Sequence, residues 1–264
     1  MQKRHLNPRQ YFEELAKTSS KYFMPYIEQF RQITPATRIL EIGCGCGGNL
    51  VPMATKGCQV TGLDITPDRI SQAAELFAAG ELPGCFMVMD ILGEETLAEK
   101  FDVIIVHDVI EHLSDKQILF DRIGELLAPD GMVFMGFPAW QMPFGGHQQI
   151  CRNRIAASMP FYHLLPKSIY KSVLRMAGEP SKNIEELLNI RRCRITVERF
   201  AKLARRNGYR IVNRKLYFIN PHYEVKFGLR PRVLTPLIAG IPYVRNFFST
   251  SCFFMLEQKE KSRD

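Results

Sequence analysis

No apolar stretch in the chain approaches the length of a membrane span, so a transmembrane helix is not expected. The first residues, Met-Gln-Lys-Arg-His-Leu-Asn-Pro, hold no apolar run, and neither a secretory signal nor a transit peptide is expected. The cysteines number seven, at 44, 46, 58, 85, 151, 193 and 252, with no C-x-x-C pair. That disfavours a disulfide framework and a structural zinc, and a reduced, cytoplasmic setting is expected. Cys44 and Cys46 stand one residue apart in a glycine turn, where small side chains fit and zinc-ligand spacing does not. There is one tryptophan, and neither an internal repeat nor a low-complexity tract. Acidic residues are scarce late in the chain. Residues 151–264 carry 23 Lys and Arg against 8 Asp and Glu, or +15, whereas residues 1–150 carry 12 against 19, or −7. Two readings follow: ordinary solvated helix faces, or a surface that meets a phosphorylated or carboxylated substrate, an anionic membrane or a nucleic acid.

What the chain does have is a strand that runs into a glycine turn. Ile39-Leu40-Glu41-Ile42 suits a buried strand, and Gly43, Gly45 and Gly47 then remove the side chains that would hold backbone away from a ligand. Gly48 also completes a G-x-G-x-x-G spacing with Gly43 and Gly45, as a dinucleotide-binding turn would. Glu41 favours another ligand, because its carboxylate repels a pyrophosphate and attracts an ammonium or sulfonium. At 21 positions beyond Gly43, Asp64 closes a second strand, where a carboxylate can accept both hydroxyls of a ribose lying across the first turn. Further strands are expected at 85–89, 101–106, 132–137, 209–219 and 251–256. Helices are expected at 8–32, 47–56, 68–79 (Thr66 as N-cap), 114–127 and 196–207. Strands alternating with helices imply a parallel, doubly wound sheet.

Residues 37–137 resemble the class I S-adenosylmethionine-dependent methyltransferases of small-molecule type, including the ubiquinone-biosynthesis group. The resemblance implies an α/β, Rossmann-like fold. Its seven-stranded sheet is mostly parallel with an antiparallel last strand, and helices cover both faces. S-adenosylmethionine is the implied methyl donor, S-adenosylhomocysteine the product, and no metal is expected. On the family pattern Glu41, Gly43, Gly45, Gly47 and Asn49 form the turn at the donor. Asp64 binds the ribose while Ile65 packs on the adenine, and Asp90 accepts from the adenine amino group with Ile91 against the ring. His107-Asp108-Val109-Ile110-Glu111-His112 resembles the D-x-x-E-H segment that flanks the sulfonium. It adds His107, Asp108 and Val109 to the cofactor side and His112 to the catalytic side. A single methyltransferase domain is expected over 1–264, with a helical cover at 1–36, the cofactor-binding core at 37–137, and substrate-side insertions at 138–195 and 220–248.

Methyl transfer is an in-line attack on an activated methyl, so the protein must hold the nucleophile and take any proton it carries. The segment after the fifth strand gathers Trp140, Phe144, Gly145, Gly146, His147 and Gln148. His147 is the expected general base or acceptor-orienting donor, with Trp140, Phe144 and Gln148 shaping the pocket. The competing reading makes the segment a structural lid whose histidine caps a helix. Asn220-Pro221-His222-Tyr223 resembles the N-P-P-Y motif of enzymes that methylate nucleobase amino groups, but it follows the penultimate strand rather than the fourth. Only Tyr223 is carried forward, as a substrate-binding residue. The 220–248 insertion, with Pro221, Pro231, Pro236 and Pro242, is read as a cover over the site or as a peripheral contact with an anionic membrane. The expected function is methylation of a small-molecule or lipid-like acceptor at a hydroxyl oxygen. The alternatives are a tRNA methyltransferase or nucleic-acid-binding protein that uses the basic part, although no RNA-binding module is visible, and a silent binding protein on the same fold.

Overall fold

The computed structural model describes residues 7–259; residues 1–6 of the expected N-terminal cover lie outside the described residues, as do 260–264. The chain opens with α1 (Pro8–Thr18), a π turn over Ser19–Phe23 and the short α2 (Met24–Glu28). Asn7 caps α1 by accepting from the Gln10 N–H at 3.2 Å, and Pro8 takes a first-turn position where no N–H is needed. The expected alternation follows: β1 (Arg38–Ile42), a 3-10 turn over Gly48–Leu50, α3 (Val51–Thr55), β2 (Gln59–Asp64), α4 (Pro67–Ala79), β3 (Cys85–Val88), β4 (Phe101–His107), α5 (Lys116–Leu126) and β5 (Leu127–Phe137). Thr66 precedes α4 as expected but makes no side-chain cap bond, whereas Asp115 caps α5 by accepting from the N–H groups of Gln117 and Ile118.

The remainder comprises α6 (Arg154–Ser158), α7 (Lys167–Met176), α8 (Ser181–Cys193), α9 (Val197–Arg206), β6 (Tyr209–Ile219), α10 (His222–Phe227), β7 (Arg232–Val233), α11 (Pro236–Gly240), α12 (Arg245–Phe248) and β8 (Ser251–Gln258). Among the described residues the sheet has eight strands, in the order β3-β2-β1-β4-β5-β8-β6-β7. Strands β1 to β5 are parallel, while β8 runs antiparallel to both β5 and β6. The expectation of seven strands is therefore corrected. The second insertion folds back along β6 and adds β7, a two-residue antiparallel strand with Val233 opposite Tyr217.

Successive side chains in a strand face opposite ways, and the two faces carry separate cores. Leu40, Ile42, Ile104, Val106 and Phe254 pack with α5 and α9 through Leu119, Ile123 and Phe200. Ile39, Val103, Ile105, Phe134 and Phe253 pack with Phe23, Ile27, Leu50, Met53 and Phe77 on the other side. Glu41, one residue beyond Leu40, thus points into this second face. The first insertion has a small core of its own around Tyr162, Tyr170, Leu174 and Leu187. No helix among the described residues is long and apolar enough to cross a membrane.

Candidate active site

The glycine turn is built by backbone geometry that side chains would obstruct. Gly43, Gly45 and Gly47 all have positive φ, and a Cβ on Gly43 would run into a methyl of Val109. The N–H groups of Gly43 and Cys44 donate to the Leu63 carbonyl at 2.7 and 2.8 Å, and the Gly45 N–H donates to Asp64 Oδ2 at 2.9 Å. The other Asp64 oxygen accepts from the Thr66 N–H at 2.9 Å. Each oxygen keeps a lone pair, and beside it Ile65 stands 66% exposed. Beneath the turn Glu41 is wholly buried and accepts from Asn49 Nδ2 at 2.7 Å. Glu41 Oε2 and Asn49 Oδ1 are buried with no hydrogen-bond partner. Burial pushes the Glu41 carboxyl up to about 8, with Asn49 opposing the shift and the Asp64 charge adding to it. Helix α1 lies on the turn: a Cβ on Gly48 would come within 2.5 Å of the Phe12 carbonyl oxygen. Its Tyr11 hydroxyl is pushed up by burial and then by the charge of Asp108.

Asp108 follows β4 in left-handed backbone, φ +55°, and is fixed there by its N–H, which donates to the Gly136 carbonyl at 2.9 Å. Its charge acts on groups from four separate segments: Tyr11, Glu111 with His112, His147, and His222 with Tyr223. Glu111 is buried with both oxygens unpartnered, and burial followed by the Asp108 charge holds its carboxyl well above the usual range. The His112 and His147 rings meet edge to face at 4.9 Å. Burial lowers both imidazoles, His147 to about 4 with His112 adding to the effect and Asp108 opposing it. Both are neutral at pH 7 and can accept a proton. One ligand atom each from Glu111, His112 and His147 lie within 4.8 Å of one another, a grouping that could hold a metal ion.

His147 takes its place from the loop after β5, where it too is left-handed, with φ +55°. Trp140, Gln148 and the fully buried His163 hold that loop. His163 Nε2 is 2.8 Å from the Trp140 carbonyl, and its ring meets the indole at 4.7 Å. Gln148 Nε2 donates to the Pro143 carbonyl at 2.9 Å. Gln148, expected to shape the acceptor pocket, is wholly buried; its Nε2 is bonded within the loop, while its Oε1 has no hydrogen-bond partner. Gly145 lies against the Trp140 backbone and Gly146 against the His163 side chain. A Cβ on either would collide with Trp140 or His163, so these glycines serve packing rather than approach to a ligand. Trp140 is buried behind the loop, while Phe144 is half-buried.

With this geometry in view, the chain can be compared with known proteins. A family described as "Methyltransferase domain" matches residues 40–133. Residues 40–133 of the chain thus resemble the class I, S-adenosylmethionine-dependent methyltransferases. A ubiquinone biosynthesis O-methyltransferase of Bartonella tribocorum is 30% identical over 120 residues, 44% of this chain and 49% of that protein. Phosphoethanolamine N-methyltransferase 3 of Arabidopsis thaliana is 35% identical over 104 residues, 39% of this chain and 21% of that protein. The chain thus spans half or less of these relatives' own length. An S-adenosylmethionine-dependent methyltransferase from Clostridium acetobutylicum superposes with a TM-score of 0.57 at 10% identity, covering 92% of each chain, which shows a shared fold.

Within residues 40–133 Asp64 and Asp90 stand at successive strand ends, as the sequence led one to expect. Asp90 Oδ1 accepts from the Leu92 N–H at 2.9 Å. Ile91 is 8% exposed and belongs to the core cluster that also holds Leu63. His107 is drawn the other way, its ring tilted on Phe23 at 4.5 Å while its Nδ1 lies 3.4 Å from Asp108 Oδ2. Tyr223 is half-buried, its hydroxyl raised by burial and then by the Asp108 charge, and its neighbour His222 rests on α1 with Nδ1 2.9 Å from Thr18 Oγ1. Sequence reasoning passed over Tyr11, Glu111 and His163. Tyr11 was hidden in a helix stripe, Glu111 inside a recognised motif and His163 in an insertion with no pattern of its own.

Proposed function

We propose that the protein transfers the methyl group of S-adenosylmethionine to a hydroxyl oxygen of a small or lipid-like acceptor. The observation that carries this reading is the pair of neutral imidazoles, His112 and His147, set against the Asp108 carboxylate beside the glycine turn. The residues present fit the donor. Glu41 Oε2 is a buried acceptor without a partner, suited to an ammonium. Asp64 has lone pairs for ribose hydroxyls, Ile65 offers an apolar face to a base, and Asp90 stands at the next strand end. When bound, S-adenosylmethionine supplies a methyl already activated on sulfur. The chain's own part is to seat the acceptor and move its proton. His147 accepts the hydroxyl proton as the oxygen attacks, and the nearby Asp108 charge stabilises the imidazolium that forms. His112, edge-on to His147, holds its ring or relays the proton. Half-buried Phe144 and Tyr223 line the acceptor side.

The test is transfer of labelled methyl from S-adenosylmethionine to a panel of phenols, alcohols and amines, the amines included because one relative is an N-methyltransferase. His147→Ala is expected to lower turnover by roughly 10² or more with S-adenosylhomocysteine affinity retained. Near-normal turnover would remove His147 from the mechanism, and label found only on amines would refute the hydroxyl. Neither the matched family nor the relatives' names point to nucleic acid; steeply salt-dependent tRNA binding would revive that reading.

A further inference from the structure

Two long runs that cross the segments inserted beside the sheet are free of carboxylates. From Gly131 to Gly178, 48 residues, and from Val225 to Leu256, 32 residues, the chain holds no aspartate or glutamate. The same segments expose large apolar side chains. Leu237 is 78% and Tyr243 68% exposed, with Ile241, Val244, Phe247 and Phe248 exposed around them. Phe161, Leu165 and Ile169 of the first insertion are exposed as well, and the Phe161 and Phe247 rings meet at 6.5 Å, so the two sets adjoin.

This presentation is braced. Glu198 accepts from the Tyr243 N–H and from Arg245 Nε, both at 2.9 Å, and from Asn246 Nδ2 at 2.7 Å. Tyr243 is left-handed, with φ +64°. A segment so fixed cannot fold its apolar side chains inward. Beside them, Lys167 lies between exposed Leu165 and Ile169 and opens on a cavity of about 360 Å³ shared with Arg191, Arg192 and Arg194, four cations against the single carboxylate of Glu185, with Leu188 and Asn189 completing the lining. Among the described residues none of these four cations is in an ion pair. Arg191 is aimed by a hydrogen bond to the His163 carbonyl and by the rings of Trp140 and Tyr170, 6.0 and 5.9 Å away.

We propose that this face docks on an anionic phospholipid bilayer, its apolar side chains entering the headgroup layer and the four-cation cavity receiving a headgroup phosphate. Charge decides between occupants. A twofold dimer through the face would bring the same unpaired cations of two copies close together, whereas an anionic leaflet supplies the missing counter-charge. Amphipathic, basic surfaces with aromatic and leucine side chains bind in the interface plane without spanning it. The proposal concerns where the protein sits and stands whatever acceptor it methylates.

The test is co-sedimentation of the full chain with phosphatidylcholine vesicles, with and without phosphatidylglycerol. Binding is expected only to the anionic vesicles and should weaken with salt. Leu237→Glu should lower affinity roughly tenfold or more through lost insertion. Lys167→Glu, a change of two charges, should lower it roughly thirtyfold. Both sites are exposed, and unchanged thermal unfolding shows that the fold is kept. A reading that needs no loss of binding is Tyr243→Trp fluorescence with brominated acyl chains: quenching supports insertion. Absent sedimentation, equal binding to neutral vesicles, or wild-type binding by both charge variants overturns the proposal. So does a dimer that Leu237→Glu abolishes, or tight binding of inorganic phosphate without vesicle binding.

Discussion

Replacing Glu41 with glutamine should make the protein more stable and a poorer binder. The carboxyl is wholly buried, with Oε1 taken by Asn49 at 2.7 Å and Oε2 unpartnered. An unfolded chain gives up this proton above about 4.5, whereas the folded chain keeps it to about 8. Between those values the folded state binds more protons, so stability is lost as pH rises through that window. At pH 7 the loss is about 3 kcal/mol, from roughly 1.4 kcal/mol per pH unit. Glutamine keeps the shape and the Asn49 bond but has no proton to lose, so Glu41→Gln should gain about 2 kcal/mol at pH 7, the remainder going to its second buried N–H. The gain should shrink towards pH 5. Affinity for S-adenosylhomocysteine should move the other way. A charged partner for its ammonium is gone, worth roughly 1.5–3 kcal/mol, or about ten- to a hundredfold. Wild-type binding should also release a proton, seen as a dependence of the calorimetric heat on buffer ionisation. Guanidinium unfolding at pH 5, 7 and 8, with ligand titrations at each, checks all three effects. A variant less stable than wild type at pH 8, or one that binds the ligand equally tightly, would refute the reasoning.

Gly48→Ala should loosen α1 from the turn, because its Cβ would lie 2.5 Å from a backbone oxygen that cannot give way; a loss of about 1–3 kcal/mol and faster proteolysis near residues 7–20 are expected. Glu198→Ala removes the carboxylate acceptor of buried Arg245 and Asn246, leaving them only backbone carbonyls, and should cost about 2–4 kcal/mol in urea unfolding. His163, fully buried, is lowered from 6.5 to about 4 by burial, with the Trp140 bond opposing and Arg191 assisting. Its folded value lies below the unfolded one, so stability is steady above pH 6.5 and falls as pH drops towards 4, by up to about 3 kcal/mol. Urea midpoints across that range should fall less steeply in His163→Gln.

The glycine turn proposed to hold the donor was legible because its geometry is local. Glu41, the turn glycines and Asp64 announce themselves by spacing along consecutive strands, and the structure places them on one another through backbone bonds such as Gly45 N–H to Asp64. The burial of Ile91 and Gln148 was not legible, for the opposite reason. Whether a residue beside a crevice faces it or turns into the core depends on neighbours far away in sequence, such as Leu63 for one and His163 for the other. The extra strand, β7, escaped notice because two residues carry no periodicity. Tyr11 joins the site only because α1 crosses Gly48, a contact that no local pattern encodes.

Strand β8 lies between β5 and β6, although β6 precedes it in the chain. Synthesis therefore makes β6 well before the strand that will attach it to the sheet. Until residues 251–258 emerge, six residues of β5, from Met132 to Phe137, offer an open edge, and the insertions around β6 have nothing firm to rest on. The donor half can collapse early, while the acceptor half waits for a late, long-range closure. A nick or truncation near residue 251 would thus be felt far from the break, as exposure of a sticky edge in the middle of the sheet.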